Sequence, residues 1–438
     1  MPSIEMELAN LNLETSEPLS LVQQAQRRMY HRYVALLAFL LATSMLCLYL
    51  VFRGPPAALA ELRVIDHSSA QPGSAEAMAR CLDGSEYVYY VRPGHGTGKS
   101  KWLIFLDGGD VCVSLDDCME HARGKASSEH WKRTPVLDLA EQHHTFSTSA
   151  AENPLMWNWN WIFLVNCDAG YYSGQSLRPL TTDSEPSQLF FRGWYNVKAT
   201  FEQLNRASDL NGGLAEATDV LIAGCSAGTV GTFLHLDSLR SRLPESTKVR
   251  GYGSSGFFLA TPKYLPLKQF IWSEMNVSCS LNPSCLGTHE GAEWACLAGS
   301  NAAGYVQTPL FLVQGLYDSV QLTESAPRHC LWSFSCANEY GSSVRHQMTQ
   351  WLAASRNRGL FLHSCISHCG RDVMTVDGLT PLQALRNWWE LENVTVNLTQ
   401  FAHYPCLTCC LGSLWAAPTS DSAQLESSSA YSAKSLPF

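Results

Sequence analysis

Gly224-Cys225-Ser226-Ala227-Gly228 sets a serine between two glycines. The apolar run Val220-Leu221-Ile222-Ala223 comes directly before it, and a helical pattern from about Ala227 to Leu239 directly after. A G-x-S-x-G motif at a strand-to-helix turn lifts the serine hydroxyl out of a sheet, with a helix amino terminus behind it. The turn is tight, so the residues two before and two after the serine must be very small. A Gly-rich turn without chemistry has the same composition. The strand and helix around this one favour Ser226 as a nucleophile.

A serine hydroxyl needs a base, and the base needs an orienting acid. In the chain order Ser, Asp or Glu, His, Asp318 is the candidate acid, just past the apolar run Leu310-Phe311-Leu312-Val313. It also fits a turn-capping carboxylate before Ser319. Two histidines follow the run Gly359-Leu360-Phe361-Leu362: His363 close to it and His368 further on. Spacing alone does not separate them. A tetrahedral intermediate also needs N–H donors for its oxyanion. Ala227, after the nucleophile, supplies one, and Gly108-Gly109-Asp110 sits where the others belong, after Trp102-Leu103-Ile104-Phe105-Leu106. This chemistry requires no metal and no organic cofactor. Cys406, Cys409 and Cys410 cluster, but no second half-site completes a zinc pattern.

These residues need a scaffold. The runs at 102–106, 161–165, 220–223, 310–313 and 359–362 lack alternation, as strands buried on both faces do. Interleaved with helical patterns they predict an α/β fold, a mostly parallel sheet with flanking helices. Chemistry then collects at the carboxyl ends of the strands.

The chain has 438 residues, 46 % hydrophobic and 16 % charged, enough for a large core and too apolar for general disorder. Its net charge of −9 offers no basic face for nucleic acid. Fifteen of the sixteen cysteines follow residue 80, and Cys47 lies in an apolar run. Disulfides, and so an oxidising compartment, are expected. Tyr33 to Phe52 is an uncharged run of about twenty residues, long enough for a bilayer core of roughly 30 Å. Arg27, Arg28, His31 and Arg32 precede it and keep that side cytosolic.

The organisation expected is a cytosolic tail at 1–32, a transmembrane signal-anchor at 33–52, a stalk at 53–74, the catalytic domain at 75–410 and a flexible Ser/Ala-rich tail at 411–438. This is a single-pass type II membrane protein, its domain in the secretory lumen or outside the cell. The alternative is secretion after cleavage near Ala58-Leu59-Ala60. Sequons at Asn276, Asn393 and Asn397 agree with either topology.

With these residues in place, the chain resembles the pectin acetylesterase and Notum family of serine carboxylesterases over roughly Cys81 to Cys410. The resemblance rests on Leu106-Asp107-Gly108-Gly109 with Cys112, Asn153-Pro154, Phe191-Arg192-Gly193 and the Ser226 motif. Leu234-His235-Leu236-Asp237-Ser238, Tyr317-Asp318-Ser319, Ser364-Cys365 and Ser367-His368-Cys369 complete it. Details such as the Leu243-to-Val249 stretch look like the plant-type enzymes. The resemblance implies a disulfide-stapled α/β-hydrolase fold and a triad of Ser226, Asp318 and His368, not His363. It implies oxyanion donors at Gly109, Asp110 and Ala227, and disulfides Cys112–Cys118 and Cys81–Cys167. The chain departs from the family pattern at Asp110, at Thr229 and at Ser254-Ser255-Gly256, which puts substrate and rate in question. The expected activity is removal of O-acetyl groups from a pectin-like polysaccharide. One alternative is a Notum-like removal of a fatty acyl group from a secreted protein, with Trp157, Trp159 and Trp161 lining an acyl pocket or simply packing the core. The other is a non-catalytic binding protein on an esterase fold.

Overall fold

The computed structural model divides into two compact units, residues 1–56 and 57–438. It describes residues 58–410 except 69, 182–187, 370–373, 392, 393 and 407, together with 32, 34–36 and 43. The expected cytosolic tail, most of the membrane-spanning run, the tail at 411–438 and Asn393 lie outside the described residues. Among the described residues no helix is long and apolar enough to cross a membrane.

Among the described residues there are twelve strands: β1 (Leu59–Val64), β2 (Val88–Arg92), β3 (Lys101–Leu106), β4 (Val136–Asp138), β5 (Asn160–Leu164), β6 (Leu180–Thr181), β7 (Gln188–Leu189), β8 (Asp219–Cys225), β9 (Lys248–Ser254), β10 (Leu310–Gly315), β11 (Arg358–His363) and β12 (Val396–Thr399). Ten form one sheet, in the order β12-β11-β10-β9-β8-β3-β5-β2-β1-β4. The stretch from β12 to β5 is parallel, with β3 between β5 and β8 (Leu103 opposite both Trp161 and Leu221). β2, β1 and β4 extend it antiparallel. Every run expected as a strand is one, because residues such as Leu103, Ile162, Leu221, Phe311 and Phe361 are buried between layers of helix.

Seven strands escaped the sequence reading, β1, β2, β4, β6, β7, β9 and β12, and two of them show why. β9 reads Lys-Val-Arg-Gly-Tyr-Gly-Ser, which carries neither an apolar run nor alternation. Gly251 is required there, since a Cβ would come within 2.4 Å of the Leu236 side chain. β1 lies inside the segment expected as a stalk, so the folded domain starts near Ala58 rather than at 75. The Pro/Ala/Ser-rich surroundings hid a strand whose Ala58 and Ala60 flank are fully buried.

Three helices matter for the site: α1 (Ala227–Arg240), α2 (Leu265–Glu274) and α3 (Ser319–Glu324). α1 follows β8 and packs back on the sheet. A smaller cluster with Ile271 and Met275 from the region of α2 encloses Ala227, Val230 and Phe258 beside the carboxyl end of β8.

Candidate active site

The turn after β8 is as tight as the motif demands. A Cβ on Gly224 would lie 2.3 Å from the Gly228 carbonyl oxygen, and one on Gly228 would lie 2.0 Å from that of Leu106. Ser226 itself has φ 56° and ψ −121°, a conformation that costs a non-glycine residue about 1–3 kcal/mol and persists only where surroundings enforce it. Here Ser226 N–H donates to the Ser254 carbonyl at 2.9 Å. Thr229 Oγ1 donates to the Gly224 and Ser254 carbonyls, at 2.7 and 2.8 Å, and accepts from Ser254 N–H at 3.0 Å. Two of the positions that depart from the family pattern are thus neighbours, and each supplies the other's partner.

Asp318 follows β10 and is 1 % exposed. His368 Nδ1 lies 2.9 Å from both of its carboxylate oxygens. Oδ1 also accepts from the N–H groups of Val320 and Gln321, at 3.0 and 2.9 Å. The helix cap and the His368 contact of Asp318 coexist: the cap pins the carboxylate that meets the imidazole. His363 is buried at the end of β11, and desolvation pushes its pKa down to about 4. The structure brings His368, and not His363, to Asp318.

The loop after β3 closes over Ser226. A Cβ on Gly108 would sit 3.3 Å from Ser226 Cβ, and Gly109 adopts φ 125°, where a side chain is strained. Tyr172 Oη donates to the Asp107 carbonyl at 3.0 Å and to the Leu164 carbonyl at 2.9 Å. Cys112 N–H donates to the Ala169 carbonyl at 3.0 Å. Asp168, fully buried, accepts from the N–H groups of Gly170 and Tyr172, at 3.2 and 3.1 Å, and so shapes the loop that carries Tyr172. Disulfides Cys112–Cys118 and Cys81–Cys167 staple both loops, as the resemblance implied. Asp110 is exposed.

Ser226, His368, Gly109, Asp110 and Cys225 line one cleft of about 410 Å³. Its other walls mix polar side chains, Asp107, His121, Lys125, Gln142, His143 and Asn166, with apolar ones, Phe105, Ala126, Trp131, Ala169 and Val320. Desolvation raises the Asp107 pKa to about 7, against the opposing pull of Lys125. Sequence reasoning missed Asn166 and His143. Asn166 stands just past the carboxyl end of β5, the one signal that could have marked it; nothing local marks His143.

Other motifs are structural. His235 Nε2 bonds the Tyr172 carbonyl at 2.8 Å. Asp237 accepts from the N–H groups of Gln307 and Thr308. Trp159 and Trp161 are buried in the core, outside the cleft walls. The compact cysteine cluster is oxidised, Cys406 to Cys409 and Cys410 to Cys365. Seven disulfides form among the described residues, and Cys279 is exposed and unbridged.

A serine elbow, a histidine on a buried aspartate and a glycine loop at the carboxyl ends of parallel strands define the class of serine ester hydrolases. The family model for pectinacetylesterase matches residues 72–411, and the chain belongs to that family of carboxylic ester hydrolases. Pectin acetylesterase 5 of Arabidopsis thaliana is 28 % identical over 321 residues, 68 % of this chain and 72 % of that protein. Palmitoleoyl-protein carboxylesterase notum1a of Danio rerio is 31 % identical over 261 residues, 56 % of this chain and 49 % of that protein. The solved structure of the Wnt deacylase Notum from Drosophila shares the fold, with a TM-score of 0.66 at 23 % identity over 80 % of this chain and 99 % of that one.

Proposed function

We propose that the protein removes O-acetyl groups from a polysaccharide through a Ser226–His368–Asp318 triad on an α/β-hydrolase fold. The observation that carries this reading is the His368–Asp318 contact at 2.9 Å, set on the same cleft as Ser226. Asp318 holds Nδ1–H, so the Nε2 lone pair is free to take the serine proton. Ser226 Oγ attacks the acyl carbon, and the oxyanion meets N–H groups of Gly109, Asp110 and Ala227. The proton then passes from Nε2 to the leaving sugar oxygen as the ester C–O bond breaks. Water, deprotonated by His368, attacks the acyl-enzyme and releases acetic acid and free serine.

The buried polar side chains in the mixed lining favour a short acyl group on a hydroxylated carrier. A long alkyl chain there would leave Asp107, His143 and Asn166 without water or partner. The Notum-like relatives keep fatty-acyl removal from a secreted protein as the second reading. A non-catalytic binding role is the third, with Asp110 as its support.

The same proposal includes the anchor at 33–52 with the domain on the lumenal or outer side, which the disulfides require to be oxidising. Cleavage near Ala58-Leu59-Ala60 would cut into β1, where Ala58 and Ala60 are fully buried, so an uncleaved anchor fits better. Asn276 and Asn397 are exposed, as glycan acceptors must be.

Hydrolysis of p-nitrophenyl acetate and octanoate by the outer domain, beside Ser226→Ala, tests the reading. Acetate activity lost in the variant supports it. A strong octanoate preference moves the substrate to a lipidated one. Folded protein with no serine-dependent turnover on either ester sinks the enzyme reading.

A further inference from the structure

Two buried side chains in the cleft wall have no part in the reaction just described. Asn166 is 7 % exposed, and neither its Nδ2 nor its Oδ1 has a hydrogen-bond partner. His143 is 5 % exposed. Its Nδ1 accepts from Thr145 N–H at 3.2 Å and also meets the Thr145 hydroxyl, an arrangement that suits the tautomer with its proton on Nε2, and Nε2 has no partner. Among the described residues, these two alone combine an unpartnered buried polar atom with a place in this cleft. Buried polar atoms are ordinarily paired, because the water they lose must be replaced. Three unpaired atoms lining one cleft weaken the fold unless something polar occupies it.

Their placement narrows what that is. The position a Gly109 Cβ would take is 3.4 Å from Asn166 Nδ2, so the amide lies beside the oxyanion loop. His143 packs on Phe105, ring centres 4.8 Å apart. An amide presents one donor and one acceptor group, and this imidazole presents one donor. A hydroxyl both donates and accepts, and so can pair with the amide or with the imidazole. A carboxylate only accepts, and would leave Oδ1 empty. An alkyl chain would leave all three atoms empty.

We infer that Asn166 and His143 form a polar subsite that binds a sugar hydroxyl of the ester substrate and selects carbohydrate esters over simple ones. This rests on the polysaccharide reading above. Neither residue touches the triad, so the subsite acts on substrate affinity rather than on bond making.

The test compares wild type, Asn166→Leu and His143→Phe on three esters: p-nitrophenyl acetate, a mono-O-acetyl methyl glycoside, and the fully acetylated glycoside, which has no free hydroxyl. Both variants fill similar volume and remove the polar atoms. Each should raise KM for the mono-O-acetyl glycoside by about tenfold or more with kcat nearly unchanged. Turnover of p-nitrophenyl acetate and of the fully acetylated sugar should stay within about twofold. The melting temperature should hold or rise, because unpaired polar atoms are gone. Equal losses on all three esters, or a lowered melting temperature with loss on all, would mean a structural role and overturn the subsite. So would an unchanged KM for the mono-O-acetyl glycoside. Wild type active on p-nitrophenyl acetate but inert on the mono-O-acetyl glycoside would instead defeat the polysaccharide reading, and the subsite with it. Should one variant fail to fold, the other decides.

Discussion

Cys225 and Cys369 form a disulfide, so the residue before the nucleophile is bonded to the residue after the base. The bridge spans 144 residues of sequence and ties the β8 elbow to the loop that carries His368. Cys369 N–H also donates to Ser255 Oγ at 3.2 Å.

Removing that bridge should cost both stability and rate. A Cys225→Ala/Cys369→Ala protein is expected to lose about 2–5 kcal/mol in urea unfolding. Its kcat should fall by about tenfold or more even where it is folded, because a loosened His368 loop misplaces the base. A kcat equal to that of wild type would show that the bridge serves stability alone.

The two histidines should separate in kinetics. His368→Ala is expected to lower kcat by about 10³-fold or more, whereas His363→Gln should stay within about tenfold. Stability separates them by pH. Burial holds His235 and His363 at about 4, against 6.5 in the unfolded chain. Between those values the unfolded state binds more protons, so stability falls as pH drops from about 6.5 to 4. Each ring contributes up to about 3 kcal/mol. Denaturation at pH 7 and 4.5 should show a smaller difference for His363→Gln than for wild type.

Asp107 works in the opposite direction. Its folded pKa of about 7 exceeds the ordinary 3.8. From about pH 4 to 7 the native state is the one that holds the proton, so stability falls as pH rises through that window. Asp107→Asn should be neutral near pH 4 and stabilising by about 1–2 kcal/mol near pH 7, after allowance for solvent screening. A gain of equal size at both values would remove ionisation as the cause.

Asp110 puts an exposed carboxylate on the loop proposed to bind the oxyanion. Asp110→Asn keeps the backbone N–H and removes the like charge. It should raise kcat/KM by about 3- to 10-fold at low salt, and by less in high salt. No gain at low ionic strength would mean that the side chain points its charge away from the reaction.

Much of the site was legible because it is local. The Ser226 elbow is a five-residue steric pattern, and its glycines are needed for contacts within a few ångström. Asp318 was legible from a strand end, where both its capping and its acid roles arise. β1 and β9 were not, because their burial comes from neighbours such as Leu236 that lie far along the chain or on other strands. Trp159 and Trp161 were open to two readings, and packing placed them in the core.

The sequence by itself determined the parallel α/β scaffold and the cysteine-rich character, and pointed to Ser226 and Asp318 as candidate nucleophile and acid, since each follows from residue types at short spacing. Only the tertiary structure brought His368 rather than His363 into contact with Asp318, which spacing left open, joined Cys225 to Cys369, paired Thr229 with Ser254, and set Asn166 and His143 in one cleft. Those relationships depend on which strand lies beside which, and on how loops from separate strands meet at one edge of the sheet. Sequence spacing carries no measure of either distance.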